Sequence, residues 1–101
     1  MSLPPISAQA FKHRLDKKEH LNILDIRTQY EFDDFNIGGI HIPADDLLLK
    51  ATVQLQPFKD SELIVVCGTG LQSAVIVRVL SKKGFSQVRN LEGGIEAFLG
   101  I

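Results

Sequence analysis

The chain has 101 residues, 45% of them hydrophobic, and a formal net charge of −1, which predicts a single domain, 1–101, with one core and excludes the basic field of a general nucleic-acid binder. Its single cysteine excludes an internal disulfide and favours a reducing, cytoplasmic location. No stretch reaches the roughly 20 apolar residues of a membrane span, and residues 1–5 lack the charged and apolar regions of a signal peptide, so we expect a soluble protein without a membrane partner.

Helix and strand patterns alternate along the first half of the chain. Apolar residues at helical spacing predict amphipathic helices, whereas short β-prone apolar runs predict buried strands. In chain order, the predicted elements are a helix capped by Ser7, a strand over 22–26, a short helix over 30–35, a strand over 40–42 that Pro43 ends, and a helix over 44–51.

The second half repeats this alternation with clearer boundaries. A break at 56–60 precedes a fully apolar strand over 63–66, a loop, and a helix over 74–83 that ends at Gly84. An edge-like strand around Val88 and a final helical turn follow. Buried strands that alternate with helices predict an α/β fold with a mostly parallel sheet covered on both faces.

The only cysteine, Cys67, directly follows the strand over 63–66, at the strand end where parallel sheets form their sites. The next residues contain two glycines that let successive N–H groups converge, and a helix start adds partial positive charge. Lone cysteines usually only pack in cores, but this setting favours an accessible, thiolate-prone sulfur. The predicted anion-binding loop comprises Gly68, Thr69, Gly70, Leu71, Gln72 and Ser73.

The histidines provide no second site. His13 and His20 lie in polar segments and are expected on the surface, whereas His41 adjoins strand-like residues and is ambiguous. No second ligand stands at metal-binding spacing, so we predict no metal. No local general base accompanies Cys67, and a loop-activated thiolate would not require one.

Four stretches match a known family pattern, in order and at similar spacing over nearly the whole chain: Leu24-Asp25-Ile26-Arg27 with Glu31-Phe32, Ile42-Pro43, Cys67 to Ser73, and Leu91-Glu92-Gly93-Gly94-Ile95 with Phe98. Taken together, they resemble the rhodanese-like domain family. The resemblance implies a three-layer α/β fold and a sulfurtransferase without cofactors. Cys67 would accept a sulfane sulfur from a small-molecule or protein donor, hold it as a persulfide on the amides of 68–73, and pass it to a thiol, a cyanide-like acceptor or a sulfur-carrier protein. Asp25, Arg27 and Glu31 match positions that look mainly structural in this family.

Two departures from the family pattern bear on the donor and the acceptor. The family commonly carries arginine five residues after the cysteine, where this chain has Gln72. A neutral amide binds an anionic donor such as thiosulfate less well, so we expect carrier chemistry to persist better than thiosulfate turnover. The segment 36–41 is similar to rhodanese domains fused behind ubiquitin-activating-like adenylyltransferases of thiamine and molybdopterin synthesis, which implies a carrier-protein acceptor.

Two other function classes stay open at this point. A catalytically weak interaction or regulatory module is favoured by Gln72 and opposed by the cysteine in its loop. A cysteine phosphatase uses a similar loop but requires an arginine six residues after the cysteine, where this chain has Ser73. Nothing else in the loop replaces that bidentate phosphate contact.

Overall fold

The structure is a computed structural model that describes residues 2–49 and 52–101. Its described sheet has four strands, in the order β2-β1-β3-β4, and every neighbouring pair is parallel. The strands are β1 (Ile23–Asp25), β2 (Ile40–His41), β3 (Leu63–Val66) and β4 (Val88–Asn90). The predicted parallel sheet is confirmed, with β3 as one of its two inner strands.

Helices connect the strands and cover both faces of the sheet. The predicted helix over 44–51 is confirmed from Ala44 to Leu49, while residues 50 and 51 lie outside the described residues. The interruption predicted at 56–60 contains a 3₁₀ turn, Gln56–Phe58, with Pro57 in its first turn. The α-helices are α1 (Ala8–Asp16), α2 (Gln29–Asp34), α3 (Ala44–Leu49), α4 (Thr52–Leu55), α5 (Leu71–Lys82) and α6 (Gly94–Leu99).

Strand β3 forms the centre of the core. All four of its residues are fully buried, and successive side chains belong to different hydrophobic clusters. Val65 packs in the cluster that includes Ile76 of α5, whereas Ile64 packs in the cluster that includes Phe11 of α1. Because side chains alternate along a strand, this run supports the helix layers on both faces.

A buried ion pair fixes the chain where β1 ends. The Arg27 guanidinium donates to Asp25 Oδ2 at 2.8 Å and to the Phe35 carbonyl oxygen at 2.6 Å. Asp25 is fully buried, and Arg27 is only 7% exposed. Burying both charges is tolerated because they pair and satisfy further polar groups. These contacts attach α2 to the sheet and agree with the structural role that the resemblance implied.

Candidate active site

Cys67 follows β3 and lies at the N-terminus of α5. Gly70, at φ +88°, is the N-cap, so α5 begins at Leu71, three residues before the predicted start. The prediction was wrong because Leu71 is 76% exposed and Gln72 is also exposed, so the buried periodicity that identified this helix does not include its first turn. Residues 71–73 are therefore helical, and only 68–70 form the turn.

The sulfur of Cys67 occupies the position of a helix-capping acceptor. Gly70 N–H donates to Cys67 Sγ at 3.1 Å, and Ser73 N–H donates to the same sulfur at 3.3 Å. Ser73 belongs to the first turn of α5, whose N–H groups lack helical partners, and the N-cap glycine has no side chain to accept from them. The sulfur therefore faces two amide donors and the positive end of a helix, both of which favour negative charge.

Cys67 is buried, at 2% exposure, so the predicted accessible cysteine is wrong in this respect. The residue packs in the same cluster as Val65 and Ile76, and its sulfur turns inward to the α5 amides. Sequence alone showed the strand end but not the packing around it. A reagent or donor must therefore reach the sulfur past the loop.

The start of α6 fixes the other side of the loop. Ile95 N–H donates to the Cys67 carbonyl at 2.9 Å, and Glu96 N–H donates to the Gly68 carbonyl at 3.0 Å. This approach requires glycine at position 94, because a Cβ there would lie 2.4 Å from the Cys67 oxygen. The Gly-Gly pair that contributed to the family resemblance thus has a local role: it lets α6 bind the loop carbonyls.

Asn90 is a site residue that sequence reasoning missed. It ends β4, the strand next to β3, and its Nδ2 donates to the Gly70 carbonyl at 3.0 Å. Its Oδ1 accepts a short hydrogen bond from the hydroxyl of fully buried Ser73, whose Oγ lies 3.2 Å from Cys67 Sγ. Its position at the carboxyl end of a parallel strand was a signal that could have identified it.

Gln72 faces a small cavity of about 100 Å³ on the side of the loop toward β1 and α3. The described lining contains two carboxylate side chains and no cationic one. Glu31 accepts from Thr28 N–H at 3.1 Å in a capping box, whereas Asp45 is exposed. The lining residues are Ile26, Thr28, Glu31, Pro43, Ala44, Asp45 and Gln72.

The histidines lie outside this sulfur site. His13 and His20 are exposed, as predicted. His41 stacks on Phe32 at a centroid distance of 4.3 Å, and its Nε2 lies 2.8 Å from the Arg27 carbonyl oxygen, so it packs α2 against β2. Within 2–49 and 52–101, no cluster of three or more His, Cys, Asp or Glu residues is arranged for a metal ion. No helix in those ranges is long and apolar enough to cross a membrane.

Comparisons with known proteins agree with this architecture. The rhodanese-like domain model matches residues 7–100. The chain is 34% identical over 100 residues to the Bacillus subtilis protein named "Putative sulfur carrier protein YrkF", covering 98% of this chain but 52% of that protein. It is 31% identical over 101 residues to "Putative sulfurtransferase YtwF" of the same organism, covering 99% and 94%.

A solved structure extends the comparison to the fold. A rhodanese-related protein of Thermoplasma volcanium superposes with a TM-score of 0.80 at 26% identity, covering 97% of this chain and 92% of that one. The chain spans about half the length of the first relative and nearly all of the second. With a family match over almost every residue and the same fold, the chain belongs to the rhodanese-like domain family.

Proposed function

We propose that the protein is a sulfurtransferase in which Cys67 carries a sulfane sulfur between a donor and an acceptor. In the first step, the Cys67 thiolate attacks the donor's outer sulfur. A new S–S bond forms while the donor's bond to that sulfur breaks, and the donor leaves as a thiolate or as sulfite. An acceptor nucleophile then attacks the outer sulfur of the persulfide, and Cys67 leaves as a thiolate. No external oxidant or reductant is consumed.

The observation that carries the proposal is the pair of amide donors aimed at the sulfur. Gly70 and Ser73 N–H groups lie 3.1 and 3.3 Å from Cys67 Sγ. A thiolate leaving group needs donors of this kind, because hydrogen bonds to an ion are about twice as strong as neutral ones. Within the described chain, the N–H groups of Gly68, Thr69 and Gln72 have no hydrogen-bond acceptor, so they remain available to an anionic outer sulfur.

The surroundings of the loop favour a protein-bound persulfide over thiosulfate as the donor. The cavity beside Gln72 carries the carboxylates of Glu31 and Asp45, which repel a dianion. On the first two turns of α5, Leu71 is 76% exposed and Val75 is 49% exposed. Apolar side chains beside a reactive loop suit contact with another protein's surface, and we propose the same surface for a sulfur-carrier protein that acts as the acceptor.

The test is the intact mass of the protein after it is mixed separately with a cysteine-desulfurase persulfide donor and with thiosulfate. We expect one added sulfur atom from the persulfide donor, removed by dithiothreitol, and much less from thiosulfate. Cys67→Ser is the matched control because it removes the only thiol of the chain. Absence of added sulfur with both donors, in a folded protein, would contradict the proposal.

The second candidate is a binding module without sulfur chemistry. The burial of Cys67, at 2% exposure, favours it, because a donor must displace part of the loop to reach the sulfur. This alternative predicts that neither donor adds sulfur and that thiol reagents label Cys67 only when the protein unfolds. The same mass experiment, repeated with iodoacetamide, therefore separates the two functions.

A further inference from the structure

The orientation of the Asn90 side chain determines the direction of the hydrogen bonds around Cys67. Asn90 Nδ2 lies 3.0 Å from the Gly70 carbonyl oxygen, which can only accept. The opposite amide orientation would place two acceptor oxygens together, so Nδ2 is the atom that faces Gly70. Oδ1 must then face the Ser73 hydroxyl, and that hydroxyl must donate to it.

This direction leaves only lone pairs of Ser73 Oγ facing the cysteine. Ser73 has a single hydroxyl proton, and the hydroxyl donates it in a hydrogen bond to Asn90 Oδ1. Cys67 Sγ lies 3.2 Å from Ser73 Oγ, so the contact is satisfied when the thiol S–H donates to the oxygen. A thiolate at the same place would meet an oxygen lone pair instead of a donor. The serine therefore opposes the two amides, which favour the thiolate.

We propose that Asn90 is a positioning residue that fixes the Ser73 hydroxyl as an acceptor toward Cys67, an orientation that favours the thiol of the unloaded cysteine over its thiolate. When Cys67 ionises, its proton goes to water. The Ser73–Asn90 pair thus sets the pH above which the sulfur becomes a nucleophile, and a change that releases the hydroxyl makes the thiolate easier to form. Asn90 itself makes no hydrogen bond to the sulfur in the described chain.

Among the described residues, no charged group on the surrounding elements forms a hydrogen bond with Cys67 Sγ. No direct ionic contact therefore outweighs the effect of the Ser73 hydroxyl on the sulfur. Asp25 and Arg27 pair with each other at the carboxyl end of β1, and Arg89 of β4 donates to Glu62. Other charged side chains on the elements next to the loop include Glu31 and Asp45 beside Gln72, Arg78 on α5, Glu92 after β4, and Glu96 on α6.

The test is the ultraviolet absorbance of the thiolate as a function of pH, with Cys67→Ser as the blank that subtracts the tyrosine signal. This readout requires no access to the buried sulfur. For Ser73→Ala, we expect the midpoint to fall by about half a pH unit, because a repelling lone pair disappears. A rise in the midpoint would overturn the proposal, since it would mean that the hydroxyl donates to the thiolate.

Asn90→Ala frees the hydroxyl to turn toward the sulfur, so the midpoint should fall by about one pH unit, the value of one charge-assisted hydrogen bond. In the Ser73→Ala background, the same Asn90→Ala change should have no further effect. A purely structural role, through the lost bond to the Gly70 carbonyl, predicts an equal shift in both backgrounds and would refute the inference.

Asn22→Ala is the matched control because Asn22 Nδ2 also donates to a backbone carbonyl, that of Glu62 at 3.1 Å, at the opposite end of the sheet. We expect its midpoint to equal that of the unmodified protein.

If Asn90→Ala does not fold, the sign of the Ser73→Ala shift alone decides the question. The inference takes its biological meaning from the proposed sulfur transfer, but the titration uses no sulfur donor. Failure to load sulfur would therefore refute the proposed function and leave the titration result standing.

Discussion

An arginine at position 72 would place a positive charge where the protein now has a neutral amide beside the Cys67 loop. Gln72 lines a cavity of about 100 Å³ with the carboxylates of Glu31 and Asp45. Thiosulfate and its leaving group sulfite are both dianions, so a guanidinium there would stabilise the donor as its S–S bond breaks. A charge-assisted hydrogen bond contributes about 1.5–3 kcal/mol, against about 1 kcal/mol for a neutral one.

We therefore expect Gln72→Arg to raise kcat/KM for thiosulfate by about tenfold, since each ~1.4 kcal/mol of transition-state stabilisation is one decade in rate. Asp45 also attracts the new guanidinium, so Gln72→Arg combined with Asp45→Asn should give a larger gain than Gln72→Arg alone. Transfer from a protein-bound persulfide should change much less, because that donor brings no sulfonate to the loop.

The assay compares both donors with the unmodified protein and the two variants. Gln87→Arg is the control because Gln87 is exposed just before β4, at the amino end of the sheet and away from Cys67. Equal gains for both donors, no gain with thiosulfate, or the same gain from Gln87→Arg would refute the idea that position 72 selects the donor by charge.

Three further predictions concern stability. Val65→Asp should lower the free energy of unfolding by roughly 3–5 kcal/mol in urea denaturation, because it buries an unpaired charge at a site with no exposure; Val53→Asp, at 77% exposure, should change little. Gly94→Ala should destabilise the protein by roughly 1–3 kcal/mol and slow sulfur loading, since its Cβ would overlap the Cys67 carbonyl; Gly38→Ala, also at positive φ but with open space, should leave loading unchanged. Arg14, the main cause, and Arg89 hold the pKa of Glu62 below its ordinary value of 4.5, so Glu62→Gln should lower the thermal midpoint at neutral pH. This difference should persist above pH 4.5 and disappear as pH falls through the depressed folded-state value, where Glu62 itself becomes protonated; a difference that grows on acidification would contradict it.

Local sequence patterns predicted the helices and strands that are marked by residues close together in the chain. The apolar run of β3, followed directly by Cys67 and Gly68, predicted an inner strand and the place of the candidate site. Lys82, Lys83 and Gly84 likewise marked the end of α5, because cations and a left-handed glycine complete a helix C-terminus. Such signals act between near neighbours in the chain, so one sequence suffices to detect them.

The features that prediction missed depend either on a helix start without hydrophobic periodicity or on residues distant in sequence. The early start of α5 is fixed by Cys67 Sγ, which accepts from the Ser73 amide, and the burial of Cys67 follows from packing with two separate elements. Asn90 reaches Gly70 only because β4 lies beside β3. An exposed polar helix start has no hydrophobic periodicity, and a single asparagine has no motif. Hydrophobic periodicity therefore detected neither of them, and the sequence signal for Asn90 was its place at the carboxyl end of a predicted strand.

Holding the sulfur and choosing its donor involve different parts of the same segment. The sulfur is held by main-chain N–H groups of Gly70 and Ser73, whose positions depend on the left-handed turn and on the contact of α6 with the loop carbonyls. The Gln72 side chain takes no part in those bonds and instead faces the carboxylates of the neighbouring cavity. A substitution at 72 can therefore change the charge presented to a donor without moving the amides, whereas a bulkier residue at 94 moves the amides whatever the donor. We therefore expect a persulfide carrier to tolerate Gln72 in place of the arginine that the family commonly carries, and we expect it to favour donors without a sulfonate.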